Sequence, residues 1–146
     1  MVKEVAKGNL KKKKKRENRY GRLDKLIVHI KLSKSNTIVT LTDTIGNAIM
    51  VVSGGTGKKF KNARKGSPVA GVEAVQMVLQ KALELQVRVI AVEFTGFSIA
   101  REEIMQKIAA IHSFNPNDHN KLFVQTFTDK TPIAFGGCRA RKARRL

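Results

Sequence analysis

The stretch Leu26-Ile27-Val28-His29-Ile30-Lys31-Leu32 decides the fold class, together with Thr37-Ile38-Val39-Thr40-Leu41-Thr42 beyond the polar turn Ser33-Lys34-Ser35-Asn36. Leu26, Val28, Ile30 and Leu32 alternate with Ile27, His29 and Lys31, the period of two that marks a strand. The second run is rich in β-branched residues, which suit a pleated, half-buried surface. Gly46-Asn47 marks a further turn, and Ala48 to Val52 reads as a third strand. Connections this short predict an antiparallel meander.

Downstream the period changes. Ser67-Pro68 is a helix start, with Ser as cap and Pro at the first helical position. Val72, Val75, Leu79, Ala82 and Leu83 recur at helical spacing, which predicts a helix over 68–86. The apolar run from Val87 to Phe94 predicts a buried central strand. A second helix is predicted over 99–112, with Ile104, Ile108 and Ile111 as its apolar stripe and Glu102-Glu103 at its positive end. Lys121 to Thr128 predicts a fifth strand. The order β-β-β-α-β-α-β implies one α/β domain, a three-layer arrangement around a mixed five-stranded sheet. The expected organisation is a basic arm over 1–25, an α/β core over 26–128 and a basic tail over 129–146.

The chain has 146 residues, 42% of them hydrophobic, with 29 Lys+Arg against 11 Asp+Glu and a formal charge of +18. It is too apolar to be disordered throughout, and no apolar run reaches the 18 or so residues that span a bilayer. A single cysteine, Cys138, cannot form an internal disulfide, and no Cys/His cluster has metal-ligand spacing. The charge is concentrated: residues 1–25 carry +8, residues 56–65 carry +5, residues 139–146 carry +5, and the rest nets zero. One basic run is ordinarily a solvated face. Three same-sign blocks repel one another unless a polyanion screens them, and nucleic acid is the first candidate. Residues 1–25 lack the apolar core of a secretory signal and the Ser-rich, acid-poor character of a transit peptide. They read as a disordered basic arm, not a cleaved address.

Enzyme motifs fail on spacing. A P-loop over Gly57-Lys58 would need a glycine where Val52 stands and a hydroxyl where Lys59 stands. The strand order resembles that of ribonuclease H nucleases, but only Asp43 and Glu93 offer carboxylates, a poor two-metal set. His29, His112 and His119 are scattered, and Cys138 has no recognisable base. A metal-dependent nuclease remains the alternative reading, and a DNA-compacting protein a third. The glycine run Gly54-Gly55-Thr56-Gly57 instead suits close approach of the backbone to phosphate. Lys and Arg release condensed counterions when they neutralise phosphates, and Arg can also bind them bidentately. Phe60 and Phe135 lie beside the basic blocks, where they can stack on unpaired bases.

Several motifs together resemble the small-subunit ribosomal protein S-eleven family. They are Val28-His29-Ile30, Asn36-Thr37-Ile38-Val39-Thr40-Leu41-Thr42-Asp43, Gly46-Asn47-Ala48, Ser53-Gly54-Gly55-Thr56-Gly57, Lys61, Ala63-Arg64-Lys65, Ser67-Pro68, Thr131-Pro132-Ile133 and Gly137-Cys138-Arg139. The resemblance spans residues 26–146. It implies a ribonuclease H-like topology without catalytic carboxylates. It also implies a structural, non-enzymatic role on the platform of the small subunit, near where messenger RNA leaves the decoding channel. The implied partners are small-subunit rRNA and neighbouring platform proteins, with no cofactor, metal, membrane or small-molecule substrate. Carried onto this chain, the rRNA contacts would be Ser35, Asn36, Gly54, Gly55, Gly57, Lys58, Lys59, Lys61, Arg64, Lys65, Arg139, Arg141, Lys142, Arg144 and Arg145. The loop 94–100 departs from the family's basic, glycine-rich form and keeps only Arg101-Glu102, and Gly136-Gly137 replaces an Asn-Gly pair. The resemblance is to the bacterial and organellar branch. The divergent loop and the Lys- and Ile-rich composition point to the mitochondrial matrix, with a bacterial cytoplasm as the alternative.

Overall fold

The computed structural model describes residues 24–57, 59–111, 122–139 and 141–143. Five strands form one sheet: β1 Lys25–Ser33, β2 Asn36–Thr42, β3 Ala48–Ser53, β4 Val89–Thr95 and β5 Phe123–Asp129. Two helices, α1 Pro68–Glu84 and α2 Ala100–Ile111, fall between β3 and β4 and between β4 and β5. The strand order is β3-β2-β1-β4-β5, with β2 antiparallel to its neighbours β1 and β3, and β4 parallel to its neighbours β1 and β5. The α/β class, the mixed sheet and the β-β-β-α-β-α-β order are as the sequence predicts.

The registers carry the alternation of β1 across the sheet. Val28 stands opposite Leu41 on one side and Val92 on the other, and Ile30 opposite Val39 and Phe94. All six are buried, with Ile104 and Ile108 of α2 and Val75, Val78 and Leu79 of α1 packed onto the same cluster. Each such side chain contributes roughly 1.5–3 kcal/mol on leaving water. Gly71 of α1 lies against Ala100 and Ile104 of α2 and against Thr37 of β2. Both helices therefore cover one face, and the described residues form two layers, where a three-layer arrangement was expected. The reason is topological. β3, β1, β4 and β5 all run the same way, and both crossovers step in the same direction across the sheet. Right-handed connections then place both helices on the same side.

A local boundary shifts. The first helix ends at Glu84, because Gln86 takes a positive φ of 59° and Val87 donates back to the Ala82 carbonyl at 3.3 Å. β5 is an edge strand in which only Val124 is buried, so Phe123 and Phe127 are 53% and 47% exposed. On the face away from the helices, His29 and Glu93 are register partners. His29 Nδ1 lies 2.9 Å from Glu93 Oε2, its Nε2 lies 3.0 Å from Thr42 Oγ1, and Lys130 Nζ lies 2.6 Å from Glu93 Oε1. Burial favours neutral Glu93. The Lys130 hydrogen bond first, then the His29 charge, outweigh this and hold its carboxyl below the usual range.

Candidate nucleic-acid interface

The parallel strands have one carboxyl end, and the connections that leave it are the β1–β2 turn, the segment 54–67, the loop 96–99 and the chain after Asp129. Such ends collect binding residues in open α/β sheets because the loops there diverge from a rigid frame.

The first connection is a two-residue turn. Ser33 pairs with Asn36, Ser33 Oγ donates to the Asn36 carbonyl at 2.8 Å, and Asn36 N–H donates to Ser33 Oγ at 3.1 Å. Lys34 and Ser35 are left exposed at its tip. Gly54 N–H donates to the Thr37 carbonyl at 2.9 Å, which brings the glycine run directly beside this turn. A Cβ on Gly54 would stand 2.5 Å from the Lys65 carbonyl oxygen and 3.3 Å from Asn36 Oδ1. Only glycine lets the Lys65 backbone and the Asn36 side chain come this close. The Lys65 stem lies over Gly55, where a Cβ would meet its Cε at 2.9 Å. Asn36 Oδ1 is buried there without a hydrogen-bond partner.

Between Gly57 and α1 the chain makes a 3-10 turn, Asn62–Gly66, that sequence periodicity does not reveal because it is shorter than two helical repeats. Asn62 opens it at a φ of 50°, a conformation asparagine tolerates. Lys59, Lys61, Asn62, Ala63 and Arg64 line an open pocket of about 410 Å³. Lys59 is 3.1 Å from Glu73 of α1, an exposed pair worth little in water. Ser67 then caps α1 by accepting from Ala70 N–H at 3.3 Å.

Thus Ser35, Asn36, Gly54, Gly55, Gly57, Lys59, Lys61, Arg64 and Lys65 share one end of the sheet. Arg139, Arg141 and Lys142 are exposed on the chain that leaves the same end, but the structure gives them no contact with the loop. Lys61, Arg64, Lys65, Arg139, Arg141 and Lys142 make no ion pair among the described residues. Lys58, Arg144, Arg145 and the arm over 1–23 lie outside the described residues. Lys34 is a further cation at this end that sequence reading passed over; its position inside a polar turn next to Ser35 was the available signal. Phe60 is half-buried, whereas Phe135 is fully exposed.

The two carboxylates weighed for a nuclease are engaged in the fold. Asp43 accepts from the N–H groups of Ile45, Gly46 and Asn47 and from Asn47 Nδ2, at 2.7–3.0 Å, and so closes the β2–β3 turn. Those hydrogen bonds, the Asn47 side chain first, hold its carboxyl below the usual range. Glu93 is held by His29 and Lys130. No group of three or more His, Cys, Asp and Glu side chains fit to hold a metal occurs among the described residues. No described helix is long and apolar enough to cross a membrane.

The sequence pattern of the family described as Ribosomal protein S11 matches residues 26–145. The chain belongs to this family. The small ribosomal subunit protein uS11 of Orientia tsutsugamushi (strain Boryong) is 38% identical over 138 residues, covering 94% of this chain and 98% of the relative. That of Thermotoga maritima is 36% identical over 139 residues, covering 95% of each. That of Nautilia profundicola is 33% identical over 142 residues, covering 97% of this chain and all of the relative. The match to the ribosomal protein S11 pattern spans both basic segments of the core and tail, 54–65 and 139–145. By family, this is a structural protein of the small ribosomal subunit.

Proposed function

We propose that the chain binds small-subunit rRNA through the carboxyl end of its sheet and helps build the platform near the messenger RNA exit, beside neighbouring ribosomal proteins. The observation that carries this is the convergence of the Ser35-Asn36 turn, the glycine run and the cations of segment 59–65 on one end, from which the Arg-rich tail also departs. Gly55 and Gly57 let the backbone approach phosphate closely, whereas the buried Gly54 gives its N–H to the Thr37 carbonyl and holds the loop in place. The lysines supply attraction, and Arg64 and the tail arginines fix position. Family membership and the occupied carboxylates favour a non-enzymatic role. Residues 1–25 act as an additional, non-specific basic arm, residues 26–128 as the core, and residues 129–146 as the tail.

For the compartment, the divergent loop 94–100 and the Lys- and Ile-rich composition favour a mitochondrial ribosome. The bacterial source of the relatives named above supports a bacterial cytoplasm equally well. Sequencing the RNA crosslinked to the chain in small subunits tests ligand and compartment together. Recovery of small-subunit rRNA supports the reading, and its origin names the compartment. If ten cations contact phosphates, log affinity falls with log salt at a slope of about −7 to −9. Magnesium-dependent RNA cleavage by the pure chain, lost on Asp43→Asn, would instead restore the nuclease reading.

A further inference from the structure

We infer that Arg101 and Asp129 form a latch that sets the direction in which the C-terminal tail leaves the sheet, so that Arg101 positions the tail's cations and does not itself contact phosphate. The inference deepens the proposed rRNA-binding role and rests on it for its purpose, though not for its geometry.

Asp129 ends β5, an edge strand with one neighbour. The end of such a strand ordinarily frays. Here three consecutive residues are held. Asp129 Oδ2 lies 2.6 Å from Arg101 Nη2. Asp129 Oδ1 accepts from Thr131 N–H at 2.9 Å and from Thr131 Oγ1 at 2.6 Å, while Thr131 Oγ1 accepts from Gly96 N–H at 3.0 Å. Lys130 N–H donates to the Phe94 carbonyl at 2.8 Å, and its ammonium reaches Glu93 on the open face. The root of the tail is thereby tied to β4, to the β4–α2 loop and to α2.

Arg101 is the centre of this arrangement. It sits in the first turn of α2. Its Nη1 donates to the Gly96 carbonyl at 3.5 Å, and its guanidinium carbon lies 5.4 Å from the ring centres of both Phe94 and Phe97. Phe94 in turn stacks on Phe127 of β5 at 6.5 Å with an interplanar angle of 11°. The side chain of Arg101 is only 22% exposed. Its charge is matched by a carboxylate and its planar faces by aromatic rings, the arrangement in which Arg and Lys are least interchangeable. A phosphate would have to displace these partners. Residues 132–139 are exposed, and the first tail cation, Arg139, comes eight residues after Thr131. An extended segment of that length reaches about 25 Å, so a small rotation at the root moves the cations far.

The sole cysteine, Cys138, is exposed beside Arg139 and takes a probe without further engineering. The full-length chain, Arg101→Met, Asp129→Asn and the exchange Arg101→Asp/Asp129→Arg are each labelled there. A spin label reports tail mobility in the free chain. A tethered iron chelate reports, by cleavage, where the tail lies on small-subunit rRNA. The latch predicts a more mobile label in both single variants and cleavages dispersed over more nucleotides. It also predicts at least partial restoration of both by the exchange, with thermal unfolding confirming that each variant is folded. Unchanged mobility and an unchanged cleavage pattern in both single variants would overturn it. No cleavage by the parent chain, with the label still loosened in the variants, would overturn the rRNA-binding reading and with it the purpose assigned to the latch. The mobility result keeps the two failures apart.

Discussion

Gly54 and the carbonyl oxygen of Lys65 are in such close approach that a Cβ on Gly54 would lie 2.5 Å from that oxygen. The contact joins the end of β3 to the last turn before α1. It seats the segment 59–65 against the β1–β2 turn. Gly54→Ala therefore forces the two backbones apart. The expected cost is about 1–3 kcal/mol, the range for overpacking a close-packed contact. Thermal unfolding measures it, and rRNA affinity should fall with it. A variant that unfolds at the parent temperature and binds equally would refute the role of this approach.

Arg64 and Lys65 are exposed, and neither is ion-paired among the described residues. Replacing both by Ala should leave unfolding nearly unchanged, because surface substitutions of this kind stay within about 0.5 kcal/mol. Binding should weaken. Each lost phosphate contact makes the salt slope shallower by about 0.7–0.9. Titrations at several salt concentrations read the slope. An unaltered slope would remove both residues from the proposed interface.

Lys25 starts β1 at the end of the sheet opposite the one from which the basic segment and the tail depart. Nine residues of strand place the two ends about 26 Å apart. Replacing Lys11, Lys12, Lys13, Lys14 and Lys15 by Gln should lower affinity and salt dependence. It should leave the cleavages from a probe at Cys138 where they were. Movement of those cleavages would mean that the arm and the tail share one RNA element.

Glu93 holds His29 and Lys130 at 14% exposure, and its carboxyl is shifted down, chiefly by the Lys130 hydrogen bond. A depressed carboxyl stabilises the fold above its ordinary value of 4.5, and this contribution is lost as pH falls through the shifted value. Glu93→Gln should cost about 1–2 kcal/mol near neutrality, since hydrogen bonds to a charged group are removed. The difference from the parent should shrink in acid. Asp129 behaves alike, with its carboxyl drawn down to about 2 by Thr131 first and Arg101 second. Its contribution fades between its ordinary value of 3.8 and about 2. Unfolding curves from pH 7 to pH 2 test both. A parent-to-variant gap that widened in acid would contradict the sign of either shift.

Much of the fold was legible because it rests on periodicity. The alternation Leu26, Val28, Ile30, Leu32 required one buried face, and the Ser67-Pro68 start gave α1 its first residue. Boundaries were less legible. The end of α1 depended on the left-handed turn at Gln86, a residue type that carries no such signal. The exposure of Phe127 depended on the position of β5 at the sheet edge, which no local pattern announces. In the proposed interface, the basic residues of 59–65 were visible by charge alone. Their link to Ser35 and Asn36 by resemblance acquired a physical basis only in the contact of Gly54 with Lys65 and Asn36. The pairing of Arg101 with Asp129 spans 28 residues and had no sequence signal.

The chain's sequence by itself determined the α/β class, the order of elements, the family and the three places where positive charge collects. Hydrophobic period, turn chemistry and charge are local properties, written within a few residues of where they act. The tertiary structure decided that both helices lie on one face, that Asp43 and Glu93 are engaged in the fold, and that Arg101 is drawn inward while Arg64 and Lys65 stay outward. Those outcomes depend on strand direction and register. These bring distant residues within 3 Å of one another, and no local pattern encodes that approach.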